Sequence, residues 1–561
     1  MFKLGKKEIR ALLIIILSSV FVHFFLIFVT GAWWDDWKFY VNDFSTMRDH
    51  YISAGRLDAY LLLSIVSSLP DWAYRLTVLI CYITSAIFIY MALLNVFADH
   101  QMALIISVLY NAIPVNDLRV MRCVFPFAIA TTLFWAASYL LLISIDSHSK
   151  LRRMSMRVAA LSLFFVSFST NSLMFFYIAP ICFLWIKLWL KERTKGNSNI
   201  FHFIKSILKY PDFYFIPFIF FVIKKIWLSP EAGGLYSSYN QITIPNLCHA
   251  IILMPNVLWQ MCKSVAKNWV IIVLNYRYII FFYLIIIVIF SLAKRKFDLG
   301  RRIKSFKVSC VLVVCGLAMI LMGLYPYVVI RLDVIGTTGT SGRDAMLVCI
   351  GFAILIYGFF ALLRIPSRIQ YALVSCIILT SCIHFSYWYC LYQGAYYEQV
   401  ALQSAWVETE DVRTGRTFIY IRMNEGTLAL ERFYTLNALS KRTYGDSKRF
   451  VAKGVSNLMY LTTFEKAELM RNDNVNSFDE YDMGNTKIDG IMIASYSISH
   501  QETIRLKWLE ICDHNAFLAG SRKCLNYEYI PVDESLSEAI YNGYLNGTIT
   551  YDDQLLRFVA D

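Results

Sequence analysis

The chain is poor in charge. Only 17% of its 561 residues are Asp, Glu, Lys or Arg and 58% are hydrophobic, a balance that excludes an ordinary soluble globule, in which about a quarter of residues are charged. The spacings of several soluble catalytic folds are missing too. There is no Gly-x-Gly-x-x-Gly turn, Gly-x-x-x-x-Gly-Lys-Ser/Thr loop, Gly-x-Ser-x-Gly elbow or His-Glu-x-x-His pair, which argues against Rossmann, P-loop, α/β-hydrolase and zincin chemistry. The thirteen cysteines form no Cys-x-x-Cys or Cys/His ligand spacing. All but Cys512 and Cys524 lie before residue 400 in apolar segments, where they read as small buried hydrophobes.

In place of these, apolar runs follow one another from residue 11 to residue 390. They centre on 11–30, 73–97, 102–114, 121–144, 157–171, 172–190, 212–228, 269–293, 308–328, 345–363 and 369–390, about eleven transmembrane helices by the length rule. The first run follows Lys3, Lys6, Lys7 and Arg10. It is too long for a signal peptide and lacks a small-residue cleavage site, so it reads as an uncleaved span. The net charge of +13 would suggest nucleic acid in a soluble protein, but here the excess sits in short loops, where it sets topology, and no nucleic-acid role is expected. Lys150–Arg157, Lys191–Lys209, Lys294–Lys307 and Arg364–Arg368 fall on one side together with the N-terminus. By the positive-inside rule that side is cytoplasmic. The outer side receives residues 31–72, the turn 114–119, residues 229–268, residues 329–344 and everything after about 395.

The first outer loop opens with Trp33-Trp34-Asp35-Asp36-Trp37-Lys38. Two adjacent carboxylates repel each other, and one with a shifted pKa is a candidate general base at the depth of lipid phosphates. The same stretch also reads as an aromatic belt with two solvated acids. Phe39, Tyr40, Phe44, Met47 and Tyr51 follow at helical spacing, so the loop is expected to hold surface helices, with Gly55-Arg56-Leu57-Asp58 embedded. The loop 329–344 follows Tyr325-Pro326-Tyr327 and contains Arg331, Asp333 and a Gly/Thr/Ser turn ending in Arg343-Asp344. Free N–H groups beside arginines suit a phosphate; a flexible loop capped by Asp344 is the other reading. Residues 229–268 are expected to form a mobile segment and an interfacial helix, and Lys224–Lys225 to snorkel to the boundary.

After Gly394 charge becomes frequent and no apolar run reaches membrane length. Strands are expected at 417–422 and 488–495 and helices at 426–440, 464–471 and 535–544, giving a small α/β domain over 395–561 with Cys512 and Cys524 joined or, alternatively, both reduced.

Taken together, a polytopic membrane part over 1–394, acids in a long first outer loop and an outer C-terminal domain resemble the GT-C glycosyltransferase superfamily. Asp35-Asp36-Trp37-Lys38-Phe39-Tyr40 is similar to the Asp-Glu-x-Arg-Tyr type of motif in protein O-mannosyltransferases and lipid A aminoarabinose transferases. Asp-Asp-Trp followed by Gly-Arg-Leu resembles bacterial O-antigen glucosyltransferases, with Leu57 where Pro is usual. Tyr-Pro-Tyr…Ser-Gly-Arg-Asp is similar to a Tyr-Pro…Ser-Arg-His pattern, with Asp344 in place of His. The resemblance implies an inverting transferase in the bacterial inner membrane. Its donor would be a polyprenyl-phosphate-linked sugar and its acceptor a surface glycan or lipid-linked glycan. Asp35 would be the base and Asp36 its helper. Arg331, Arg343 and Arg56 would hold the donor phosphate, with Lys38 and Tyr327 nearby. A divalent cation at the two acids is left open, because two carboxylates do not define a metal site. A polysaccharide polymerase or a lipid-linked glycan transporter is the alternative.

Overall fold

The computed structural model describes residues 5–33, 36–42, 44–65, 69–194, 200–230, 243–292, 306–330, 332, 335–423, 433–463, 481, 487–550 and 552–560. Among these, seven helices are long and apolar enough to cross a membrane: Lys6–Phe28, Asp71–Phe97, Arg122–Ser144, Asn171–Thr194, Ile244–Asn275, Phe306–Val328 and Ser367–Glu408. Phe201–Ile207 and Pro211–Trp227 make an eighth if taken as one span bent by 47°. The bend falls at Tyr210, whose φ of −123° and ψ of 46° lie outside the helical region. Proline at the next position pushes its predecessor out of that region.

Eleven crossings would require shorter helices to span as well. The runs 102–114 and 345–363 fold as His100–Ala112 and Val348–Leu362, about 20 and 23 Å long at 1.5 Å per residue, against a hydrocarbon thickness of roughly 30 Å. Every residue of His100–Ala112 after the first is buried, so its apolar content serves the bundle core and not lipid. The expected interfacial helix is instead part of Ile244–Asn275, which Thr243 caps by accepting from the Asn246 N–H and which continues past Pro255. A turn at 276–278 then leads to Ile279–Leu292.

The bundle is tightened where Phe306–Val328 meets Val348–Leu362. Gly316 and Gly351 face each other's helix so closely that a Cβ on either would lie 2.7 Å from backbone nitrogen, of Leu355 and of Ile320 respectively. Small residues let membrane helices approach to backbone contact. The two helices flank the turn that carries Arg343.

The helix Ser367–Glu408 has 42 residues, about 63 Å, too long for one bilayer. The boundary expected at 394 falls inside it, because Gly394 interrupts nothing; its missing side chain admits Ile498 instead. Beyond that point Tyr397, Ala401, Leu402, Ala405 and Trp406 pack with Phe418, Tyr420, Val451 and Met492 of a small mixed sheet.

The sheet has the order β2-β1-β3-β4, with β1 Thr417–Arg422, β2 Phe450–Lys453, β3 Gly490–Tyr496 and β4 Leu525–Pro531. β1 pairs parallel with β2 and β3, and β3 antiparallel with β4. Parallel neighbours need crossovers, which Phe433–Tyr444 and Gly454–Thr463 begin to supply. Five of the six β1 residues are buried, as expected of a strand covered on both faces. The helix expected at 464–471 lies outside the described residues.

Gly316→Ala should separate the two close-packed helices and cost about 1–3 kcal/mol, the usual penalty for overpacking. A lowered unfolding temperature in detergent, with a similar loss for Gly351→Ala, is the expected measurement.

Candidate functional site

The first outer loop is tied between the two cores. The indole N–H of Trp33 donates to the Tyr392 carbonyl at 3.0 Å, and its ring packs in the bundle with Met121 and Val124. Trp37 packs on the other side, in the core of the sheet with Tyr397 and Trp406. Asp36 lies between them and is fully buried. Its Oδ1 accepts the backbone N–H of Cys123 at 2.8 Å, while Oδ2 has no hydrogen-bond partner among the described residues. Burial raises its pKa from 3.8 to about 6, against the opposing pull of the Cys123 and Arg122 backbone and the Arg75 charge. An acidic belt open to solvent is therefore not what residue 36 forms.

The ends of the loop are clamped by charges. Gly31 has φ +110°, and a Cβ there would lie 2.4 Å from the Tyr396 ring. Its N–H donates to Asp71 Oδ2 at 3.1 Å and its carbonyl accepts from Arg75 Nη2 at 3.0 Å. Arg122 Nη2 donates to Asp71 Oδ1 at 2.7 Å and to the Leu69 carbonyl at 3.0 Å. Arg75 is wholly buried, with its guanidinium 5.3 Å from the Trp33 ring centre.

Cys123 links this loop to the next. Its side chain and that of Tyr327 fall within electrostatic range of the Arg343 guanidinium. Arg343 Nε donates to Asp344 Oδ1 at 3.1 Å within the turn Gly339–Ala345. The Tyr327 hydroxyl donates to Ser172 Oγ at 3.1 Å. The neighbouring Asn171 Oδ1 accepts from Lys224 Nζ at 2.8 Å, and Lys224 also reaches Asp58 Oδ2 at 3.0 Å. Arg56 closes the strip, with Nε 3.8 Å from Asp58 Oδ1 and Nη2 donating to the Ser169 carbonyl at 3.4 Å. Asp36, Arg343, Tyr327 and Arg56, expected from four separate stretches, thus belong to one polar strip at the end of the bundle. Lys38 stands on the same short helix as Asp36, Asp36–Val41. Asp35 and Arg331 lie outside the described residues.

Four expectations change. The Gly/Thr/Ser turn is not an open cradle of N–H groups, because Asp117 Oδ1 accepts the Gly339 N–H at 3.0 Å. Asp117 is fully buried and also accepts the Tyr392 hydroxyl at 3.1 Å; burial pushes its pKa up to about 7. Asp344 pairs with Arg343 instead of capping a loose loop. Lys224 does not snorkel outward but is drawn onto Asp58 and Asn171. Cys512 and Cys524 are both free thiols. The helix His514–Lys523 between them is about 15 Å long, and a disulfide needs Cα atoms within about 7 Å.

Several of these residues were not expected. Asp71, Arg75, Arg122, Asp117 and Arg119 are the polar content of two helix starts and one short turn. The signal was the density of charge between two apolar runs at 117–122. Behind the strip, Arg119 is buried on the Tyr82 ring at 4.0 Å and the Phe385 ring at 5.0 Å and contacts His23. His23 in turn bonds the Tyr389 hydroxyl and the Asn111 carbonyl, each at 3.0 Å. Among the described residues no group of three or more His, Cys, Asp or Glu side chains could hold a metal ion. No family, curated protein or solved structure matches the chain.

The Asp36 carboxyl binds its proton more tightly in the folded chain than in the unfolded one. Its stabilising effect is complete below pH 3.8 and is lost as the pH rises through about 6. The difference is worth about 3 kcal/mol. Asp36→Asn keeps the acceptor for Cys123 without the charge. Its stability advantage over wild type should therefore grow by about 2 kcal/mol between pH 4 and pH 7, read from paired unfolding curves in detergent.

Proposed function

We propose that the chain is a membrane glycosyltransferase of the GT-C type, acting at the extracytoplasmic face of a bacterial inner membrane. It would move a sugar from a polyprenyl-phosphate donor to a surface glycan or glycolipid. The observation that supports this reading is the gathering of a buried acid, a tyrosine and two arginines from distant stretches into one strip where the spans end and the sheet begins. In this reading the Lys/Arg-rich loops lie on the cytoplasmic side with the N-terminus, and the sheet and the strip lie on the opposite side. Nucleotide sugars are absent from that side, and a lipid-linked donor reaches it by lateral diffusion.

In the reaction Asp35 takes the proton of an acceptor hydroxyl. The hydroxyl oxygen bonds to the anomeric carbon, and the bond from that carbon to the phosphate oxygen breaks with inversion. The leaving polyprenyl phosphate carries the charge away, and planar guanidinium groups meet it well. In this reading Arg343, in the turn Gly339–Ala345, meets the phosphate together with Arg331 and Arg56. Asp36, next in the chain, is tied to the backbone of Cys123 and serves as the helper of Asp35.

Radiolabelled transfer from a panel of polyprenyl-phosphate sugars to membrane extracts tests the reading. Asp35→Asn should lower turnover about a hundredfold or more, the range of general-base catalysis. Arg343→Ala should weaken donor use, while Arg301→Ala, in a loop assigned to the cytoplasmic side, should not. Wild-type turnover by a folded Asp35→Asn protein, or equal effects of the two arginines, would remove the site.

A further inference from the structure

The helix His500–Cys512 is amphipathic the wrong way round for a helix in water. The residues it turns toward the protein are Thr503 and Leu506, both buried, and the charged pair Lys507 and Glu510. Those it turns outward are Ile504, Trp508 and Ile511, which are 54%, 68% and 63% exposed and recur at the spacing of one helical face. A water-facing helix normally carries its charges outside and its apolar stripe inside.

Its position accounts for the inversion. Glu510 Oε1 accepts the Thr30 hydroxyl at 3.0 Å, and Lys507 Nζ donates to the Thr30 hydroxyl oxygen at 3.3 Å. Thr30 comes two residues after the apolar span Lys6–Phe28. At its other end, His500 stacks on Tyr387 of the spanning helix Ser367–Glu408, with ring centres 4.7 Å apart. The helix is therefore pinned at both ends to spans, at the level where the first of them stops being apolar. The last turns of that span expose Phe24, Phe25 and Phe28, so the outward stripe continues a surface that already faces lipid.

We infer that the helix His500–Cys512 lies in the headgroup layer of the bilayer, with Ile504, Trp508 and Ile511 against the upper acyl chains. Tryptophan is at home at this depth. Arg505, exposed at the edge of the stripe and bonded to Glu502, can keep its charge among lipid phosphates while its stem lies on the apolar side. The arrangement sets the sheet at a fixed height above the membrane, whatever chemistry the strip performs.

Trp508 reports on this directly. The full-length protein is placed in nanodiscs of phosphatidylcholine with or without bromine at shallow acyl positions. The difference in tryptophan emission between wild type and Trp508→Phe isolates one residue, and so exposed a position tolerates the change. That component should lose most of its intensity in brominated lipid and little to aqueous iodide. Quenching by iodide without an effect of bromine would place the helix in water. Insensitivity to both would mean that protein, such as a second copy of the chain, covers it. Either result overturns the inference.

Discussion

The carboxylate of Asp36 is shut between Trp33 and Trp37 and anchored by one backbone N–H, that of Cys123. A charge so enclosed is expensive unless its surroundings are arranged for it. Here the surroundings meet the charge only in part, so the carboxyl holds its proton up to a pKa of about 6; the turn that supplies the N–H also places Arg122, which joins Arg75 and Asp71 in gripping both ends of the loop. Trp33 belongs to the bundle core and Trp37 to the sheet core, so the stretch that carries the acid also joins the two layers. Loosening the loop would expose two cores at once.

How far the sequence disclosed this depended on what each signal measures. Long apolar runs were sound guides to the spans near 73–97, 121–144 and 308–328, because length against bilayer thickness is a direct physical test. The same test overread His100–Ala112, since a helix buried on all sides by protein is as apolar as one in lipid. Thr417–Arg422 and Gly490–Tyr496 were legible as strands from their density of β-branched and aromatic residues. Phe450–Lys453 is only four residues long and gave no such pattern. At the site, Asp36, Arg343, Tyr327 and Arg56 were nameable because acids and arginines in outer loops are conspicuous. Asp71 and Arg75 were not, because charges at the start of a span look the same whether they meet water or each other. Asp117 escaped because only the folded chain brings it to Gly339, far away in sequence.

The long helix Ser367–Glu408 gives the arrangement its reach. It supplies Tyr389 and Tyr392 to the bundle and Tyr397 and Trp406 to the sheet. The Tyr392 hydroxyl fixes Asp117 and its carbonyl fixes Trp33, so one helical turn holds both loops that carry the strip. In the proposed reaction this rigidity would hold the loops that present Asp36 and Arg343. The raised pKa of Asp36 and of Asp117 follows from the burial of each carboxyl.

The account depends most on which face of the membrane the strip and sheet occupy, because a lipid-linked donor is required only away from the cytoplasm. A cysteine at Glu534, exposed on the helix that follows β4, can be introduced in a background with the exposed Cys248 and Cys512 changed to Ser, the background protein serving as the control. It can then be challenged in spheroplasts with a thiol reagent that does not cross membranes. Labelling of intact spheroplasts is the predicted result. Labelling only after lysis would place Asp36 and Arg343 in the cytoplasm and contradict the account.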